Sequence, residues 1–530
     1  MRLRPSRAIY SLAVLLALSA LIGGIFGGQV GATTKEPEDL QAHLQLFNSL
    51  LSLVEENHAT EVDSDKAVYG AIDGMLRTLD PHSKFFNPKD FTALREDQRG
   101  RYYGLGITVT TRFGKVTVVS PPFLGSPAEK VGLRVGDVIS HVNGEPTLGM
   151  ELNEVVSKLK GPRGTSVRIK IVRPGVEEPL EMTVIRDEIA KFTVSNAFRI
   201  RDKIGYIKLE SFAETTGAEI KEALRKLDYA TLDGLVFDLR GNPGGLLTEA
   251  IEVSETFLQK GQSIVETRGR ARGSNRPYAS QRINSDHLFP LVILISPSSA
   301  SASEIVAGAI QDHDRGLIVG ETSFGKGLVQ SVYPLSKNAG LALTTQKWHT
   351  PSGRLIQRDY STISQFDYYN HRDGAAKEPK KEDIFKSDLG RTVLGGGGIT
   401  PDYIVKDTKT NEFQDMLGKR FAYYTFVQEF LSGNPKIESS FQVSDALLED
   451  FKKHLTKRGI DFQAADFEAN KDYIRRLIKY EVFYNRLGVS EAQRVLLDGD
   501  PQVLKGIELI PEAKVLAARA QKQLAERRNN

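Results

Sequence analysis

The chain has 530 residues, no cysteine and a formal charge of +3, from 70 Lys+Arg against 67 Asp+Glu. The missing cysteine excludes a disulfide scaffold, a thiolate metal site and a cysteine nucleophile, and the balanced charge excludes a chain-wide basic field for nucleic acid. The length predicts three or four units at about 100–200 residues each, and a hydrophobic content of 40% lets each bury a core.

Arg2, Arg4 and Arg7 precede an uncharged, mostly apolar run over 8–30. That run is near the ~20 residues needed to span a bilayer, and basic residues before it favour a cytoplasmic N-terminus with the rest exported. Val30-Gly31-Ala32 offers a small-residue cleavage site, so residues 1–34 read either as a signal anchor or as a removed signal peptide. The expected location is the periplasm or the extracytoplasmic face of a bacterial inner membrane. If the leader is uncleaved, it is also the contact with the membrane.

Residues 35–100 read as a helical N-terminal segment. Leucines and Phe47 recur at helical spacing over 39–54, and a second helix runs from 64 to about 79, closed by Pro81. Helical ends of this kind suit a homodimer contact.

The texture changes over 101–190. A strand, a Gly-containing turn and a strand lead to Gly125-Ser126-Pro127-Ala128, which opens a short helix. Val142-Asn143-Gly144 then marks a hairpin turn, 151–159 a helix, and 166–172 an alternating strand. With Gly104-Leu105-Gly106-Ile107, the Ser126-Pro127-Ala128 helix start and the stretch from Leu133 to Gly144 in this order, the region resembles a PDZ domain. Such a domain captures a chain end as an added strand and holds its carboxylate with loop amides. The resemblance therefore implies that Gly104, Leu105, Gly106 and Ile107 bind a peptide C-terminus.

From 191 to 405 strands alternate with helices. Strands are predicted at 204–209, 234–239, 291–296 and 317–319, with helices at 215–227, 249–258 and 303–311. This is an α/β layout with parallel strands. Residues 357–398 read as loop, and 406–530 as a helical C-terminal segment.

Ser298-Ser299-Ala300-Ser301-Ala302-Ser303-Glu304 lies between a buried strand and a helix. Small and hydroxyl residues at such a turn suit an exposed nucleophile beside a helix N-terminus, although alone the segment reads more readily as a Ser-rich helix cap. Gly320 to Gly327 nearly matches a phosphate-binding loop. Gly327 lacks the hydroxyl needed for Mg²⁺, however, and 328–332 reads as strand rather than helix. Lys326 reads better as an amine partly desolvated by Phe324 and Leu328. Desolvation lowers a lysine pKa, and a neutral amine takes a proton from a serine hydroxyl.

Ser-Ala-Ser-Ala-Ser-Glu over 299–304 and Gly-Lys-Gly-x-x-Gln over 325–330 are similar to motifs of the C-terminal processing peptidases, or tail-specific proteases. The resemblance covers about 37–405 and implies a multidomain α+β protein. Its α/β serine protease core would be joined to a PDZ-like domain and flanked by helical segments. It further implies that Ser301 is the nucleophile, Lys326 the general base and Gln330 the residue that positions the lysine. Asp312 matches an acidic position of the family. Asp238-Leu239-Arg240-x-Asn242-Pro243-Gly244-Gly245 matches a glycine-rich signature, and the amides of Gly244, Gly245 and Ala302 would form the oxyanion hole. No G-x-S-x-G elbow occurs, so His313 and His349 read as ordinary helix-end and surface histidines. No metal motif is present, and no cofactor is expected. The expected activity is endoproteolysis by a Ser-Lys dyad on proteins recognised through accessible C-termini in the cell envelope. The rival reading is a catalytically inert PDZ adaptor.

Overall fold

The computed structural model of the chain describes residues 37–173, 175–282, 289–370, 380–434 and 436–529. The leader, 1–34, lies outside them. No helix among the described residues is long and apolar enough to cross a membrane.

The chain divides into two compact units, Met1–Met75 and Leu76–Asn530. The first holds helix α1 (Pro37–Asn57) and most of α2 (Ser64–Arg77). In α1, Leu40, Leu44, Leu50 and Leu53 are each more than half exposed.

The second unit begins with strand β1 (Lys84–Phe86), helix α3 (Pro88–Arg99) and β2 (Arg101–Gly104). The Asn87 side chain caps α3 by accepting the Asp90 amide, and Gly100 ends it in the left-handed region at φ 64°. Residues 35–100 are therefore not wholly helical. Three residues of β1 are too few to display an alternating pattern, and only pairing with a distant strand makes them a strand.

Next come β3 (Val109–Arg112), β4 (Lys115–Val118), α4 (Pro127–Lys130), β5 (Val138–Val142), β6 (Glu145–Pro146), α5 (Leu152–Leu159), β7 (Ser166–Val172) and β8 (Leu180–Ile185). The sheet order is β3-β4-β5-β7-β8, with β3 at an edge. Val167, Ile169 and Ile171 alternate inward on β7 and pack with Val155 and Leu159 of α5. β9 (Asp187–Ala190) pairs antiparallel with β2, so the chain enters and leaves this domain side by side.

The core follows with β10 (Val194–Arg201), β11 (Ile204–Leu209), α6 (Thr216–Lys226), β12 (Gly234–Asp238), α7 (Leu247–Phe257), β13 (Ser263–Arg268), β14 (Arg276–Ala279) and β15 (Leu291–Ile295). It continues through α8 (Ala302–Asp312), β16 (Leu317–Gly320), β17 (Leu328–Pro334), β18 (Gly340–His349), α9 (Gln365–Tyr369), β19 (Ile384–Lys386), β20 (Thr392–Leu394) and β21 (Tyr403–Ile404). The main sheet runs β10-β11-β12-β15-β16-β21, parallel from β11 onward. β12 and β15 are buried at every residue, because both faces of a parallel sheet are covered. Ile220, Val253 and Val306 of α6, α7 and α8 pack on one face. A second sheet, unforeseen from sequence, runs β1-β18-β13-β14 with β17 also on β18.

The tail forms α10 (Glu412–Lys419), α11 (Ala422–Gly433), α12 (Asp445–Lys457), α13 (Ala464–Ala469), α14 (Lys471–Arg486), α15 (Val489–Leu497), α16 (Pro501–Glu508) and α17 (Ile510–Asn529). The helices from α10 to α15 build their own core around Phe426, Phe451, Phe467 and Ile478. α16 and α17 instead cover the other face of the main sheet, where Val503, Ile510 and Ala513 meet Val236, Val292 and Leu294.

Candidate active site

The three motif loops leave the carboxyl ends of adjacent parallel strands: 239–246 follows β12, 296–301 follows β15, and 321–327 follows β16. This is where an open α/β sheet places ligands. The loops line a cavity of about 630 Å³ that includes Ser301, Lys326, Gln330, Gly244, Gly245 and Ala302.

Of the serines at 298–303, Ser301 alone lines the cavity. Ser299 is committed elsewhere: its hydroxyl donates to Leu239 O at 2.8 Å and accepts the Ser296 amide at 2.9 Å. Ser303 donates to Asn242 O at 3.0 Å, the same carbonyl that accepts the Ala300 amide. These bonds pin the turn to the glycine-rich loop. Ser301 then sits at the N-cap of α8 with φ 53° and ψ −110°, a conformation costly for any residue but glycine.

Gly244 permits the close approach. A Cβ there would lie 2.7 Å from Ala300 O and 2.9 Å from Ser301 Cβ. One expectation is corrected, because the Gly244 amide donates to Asn242 Oδ1 at 2.9 Å. Asn242 is held in turn by donating Nδ2 to Leu209 O. The amides of Gly245 and Ala302 have no partner among the described residues, so two donors are left where the sequence motif suggested three.

Lys326 donates Nζ to Gln330 Oε1 at 2.7 Å. Burial lowers the pKa of its amine below the ordinary lysine range, and the charges of Glu304 and Asp80 pull the other way. Leu328 and Phe324 are buried beside it in sequence. Glu304 is itself buried, accepting the amides of Ser301, Gly325 and Lys326 and the Ser323 hydroxyl. Burial raises the pKa of its carboxyl, while the four donors oppose that shift.

Sequence reasoning missed His82, which also lines the cavity. Its Nε2 is 3.0 Å from Tyr368 Oη and its Nδ1 is 3.2 Å from Tyr369 Oη. Its ring lies edge-on to Phe324 at 6.3 Å. Burial first, then the Lys326 charge, lowers its pKa to about 4, so the imidazole is neutral above that. Tyr368 Oη also accepts from Gln357, whose Oε1 accepts the Gly327 amide at 2.9 Å. Asp80 fixes the His82 turn by accepting the amides of His82 and Ser83. No local signal marked this histidine, since its partners lie in α9, far along the chain.

Asp312 does not line the cavity. It ends α8, about 15 Å along the axis from its first turn at 1.5 Å per residue, where it pairs with Arg354 at 2.6 Å and accepts the Ser352 amide. His313, read as a helix-end residue, is the C-cap of α8 and is buried between Asp388 (2.7 Å) and Ser263 O (2.7 Å). His349 is half-buried on β18 and also off the cavity. Among the described residues, no group of three or more His, Cys, Asp or Glu is arranged to hold a metal ion.

In the 104–107 loop, Leu105 is buried and its carbonyl accepts the Ala128 amide at 2.9 Å. Gly106 has φ 79° and accepts the Phe123 amide. The amides of Gly106 and Ile107 have no partner among the described residues. Beyond them runs the unpaired edge of β3.

Comparison with known proteins bears on this arrangement. Residues 203–363 match peptidase family S41, and residues 118–173 match the PDZ domain. A carboxy-terminal-processing protease of Bartonella bacilliformis is 40% identical over 329 residues, 61% of this chain and 75% of that one. The carboxy-terminal processing protease CtpB of Bacillus subtilis is 33% identical over 475 residues, 84% of this chain and 98% of that one. Among solved structures, a photosystem II D1 C-terminal processing protease aligns with 68% of this chain and 92% of its own, at 27% identity and a TM-score of 0.35. The chain belongs to the carboxy-terminal processing proteases of peptidase family S41. It is thus a serine protease carrying a PDZ domain, rather than an inert adaptor.

Proposed function

We propose that the protein cleaves polypeptides held by their C-terminal ends, using Ser301 as nucleophile and Lys326 as general base. The observation that carries this reading is the convergence of the three motif loops on one cavity, which Ser301 lines while Ser299 and Ser303 are bonded elsewhere. Neutral Lys326, oriented by Gln330, takes the proton of the Ser301 hydroxyl as its oxygen attacks the peptide carbonyl. The tetrahedral oxygen accepts from the amides of Gly245 and Ala302, a contribution of about 2.7–4 kcal/mol for one such donor. Lysine returns the proton to the leaving amine, and water, activated by the same base, clears the acyl ester.

The substrate's end adds as a strand to the edge of β3, its carboxylate held by the Gly106 and Ile107 amides. We place the enzyme outside the cytoplasm, at the periplasmic face of a bacterial inner membrane, on the basic and apolar leader. The exposed leucines of α1 support a homodimer, and light scattering of Leu44→Glu against wild type would read that state.

The deciding experiment incubates the full chain and the variants Ser301→Ala and Lys326→Ala with an unstructured protein of defined sequence, followed by mass spectrometry. Loss of cleavage in both variants is expected. Wild-type cleavage by Ser301→Ala would overturn the assignment of the nucleophile.

A further inference from the structure

Residues 406–530 fall outside the match to family S41, yet they reach the loop that carries Gly244 and Gly245. Asp500 is the N-cap of α16, and its Oδ1 accepts the amides of Gln502 (2.9 Å) and Val503 (3.1 Å). Its other oxygen, Oδ2, accepts Arg240 Nη1 at 2.7 Å, and Gln502 Oε1 accepts the same Nη1 at 2.8 Å. Gln502 is fully buried and fixed by donating to Val405 O at 2.7 Å.

The rest of the Arg240 guanidinium grips Asp238, with Nε at 3.0 Å from Oδ1 and Nη2 at 2.6 Å from Oδ2. Asp238 is buried at the end of β12 and also accepts the Arg240 backbone amide and the Tyr206 hydroxyl. From Arg240 the path to the site is short. Gly241 donates to Ser296 Oγ at 3.0 Å, and Asn242 receives the Gly244 amide on its side chain and the Ala300 amide on its carbonyl. Hydrogen bonds thus tie the tail to Arg240, and the backbone that follows Arg240 is tied in turn to the loop that carries Ser301.

We propose that the C-terminal segment belongs to the catalytic apparatus, with Asp500, seconded by Gln502, as a positioning residue. It fixes the Arg240 fork, and Arg240 fixes the turn that presents the Gly245 amide beside that of Ala302. A guanidinium is a planar fork, and two opposed anchors hold it where one leaves it free to swing. Oxyanion donors act only when aimed at the position of the developing charge. The inference rests on the reading of Gly245 and Ala302 as those donors.

Asp500 both caps a helix and grips an arginine, and Asp500→Asn separates the two roles. Asparagine caps as well as aspartate does, but it removes the charge that faces Arg240. The full-length variant should lose about tenfold in kcat with KM unchanged. It should bind a peptide aldehyde, whose adduct with serine carries the tetrahedral oxygen, about tenfold more weakly, a fraction of the 10²–10³ lost with a whole donor. Asp500→Glu should recover part of the rate. Val503→Ala loosens the same helix by packing alone and serves as the comparison.

Wild-type kcat in Asp500→Asn would overturn the proposal. So would rate losses in Asp500→Asn and Val503→Ala that both follow their melting temperatures, which would reduce Asp500 to a docking residue. Retained cleavage by Ser301→Ala would overturn the underlying site instead.

Discussion

Ser301 and Lys326 hang from a single oxygen atom. Glu304 Oε2 accepts the backbone amide of Ser301 at 2.8 Å and that of Lys326 at 2.9 Å. Its Oε1 holds the Gly325 amide at 2.7 Å and the Ser323 hydroxyl. The loop after β15 and the loop after β16 are thereby riveted through one buried side chain. A carboxamide offers one acceptor oxygen and turns an NH₂ group toward donors that need acceptors. Glu304→Gln should therefore destabilise the fold by about 1–3 kcal/mol, the cost of a buried unsatisfied group, and lower kcat by about 10²-fold, comparable to losing a preorganised donor. Denaturant titration and steady-state kinetics on the purified variant measure both. Wild-type kinetics would dismiss the rivet.

The rate should rise with pH as Lys326 loses its proton, because only the neutral amine accepts from serine. Burial lowers the pKa of that amine, so the rise falls below the pH at which an ordinary lysine would titrate. His82 is buried in the wall of the cavity that Lys326 also lines. Its replacement by alanine admits water, which favours the charged amine, and the rising limb of kcat/KM should move to higher pH. A profile from pH 5 to 10 reads the shift, and coincident limbs would show that the imidazole has no part in it.

The same histidine makes stability depend on pH. Its pKa is lowered from 6.5 to about 4 in the fold, so the unfolded chain binds the proton more tightly. Stability should fall as pH drops from about 6.5 toward 4, and level off below. In His82→Gln this slope should be shallower over that interval, as read by urea midpoints at fixed pH.

Gly245 and Gly241 provide a matched pair. A Cβ at Gly245 would lie 2.0 Å from Phe212 O, whereas one at Gly241 meets nothing within 4 Å. Both have positive φ, 150° and 72°. Gly241→Ala should lose only about 1 kcal/mol of stability from backbone strain and stay active. Gly245→Ala must displace backbone, and should lose activity by about 10²-fold or more. Equal activity in the two would remove Gly245 from the site.

Gly106→Ala tests tail capture. The added methyl would lie 2.4 Å from Ser126 Cβ, in a residue at φ 79°. The loop must shift, so KM for a substrate with a free tail should rise about tenfold, equivalent to 1.4 kcal/mol of lost binding, with kcat unaltered. Anisotropy of a labelled C-terminal peptide should weaken in parallel.

Much of this arrangement was legible in the sequence, and for physical reasons. Strands covered on both faces leave unbroken aliphatic runs such as Leu291–Ile295, and the chemistry-bearing loops follow such runs directly. The second sheet left no such trace. On β18 buried and half-exposed residues mix without a period, because β17 runs along most of the strand while β1 pairs only with Gly340–Ala342 and β13 only with Lys347–His349. His82 was invisible because its partner Tyr368 is 286 residues away. The commitment of the Gly244 amide to Asn242 was equally hidden, since sequence names the donors but not their acceptors. Asp312 is the opposite case. The family resemblance matched it to an acidic position, yet the length of α8 carries it to the far end, against Arg354.

The backbone of Ser301, at φ 53° and ψ −110°, sets endurance against chemistry at one position. Strain of this kind costs about 1–3 kcal/mol, and glycine would escape it. Ser301→Gly should therefore melt higher than the wild type while cutting nothing. A lineage selected only for persistence would drift to that residue, and any homologue that carries it should be read as a retired enzyme. At the bench, the same substitution yields a hardy, inert form whose PDZ domain keeps its grip, suited to capturing natural substrates and holding them uncut.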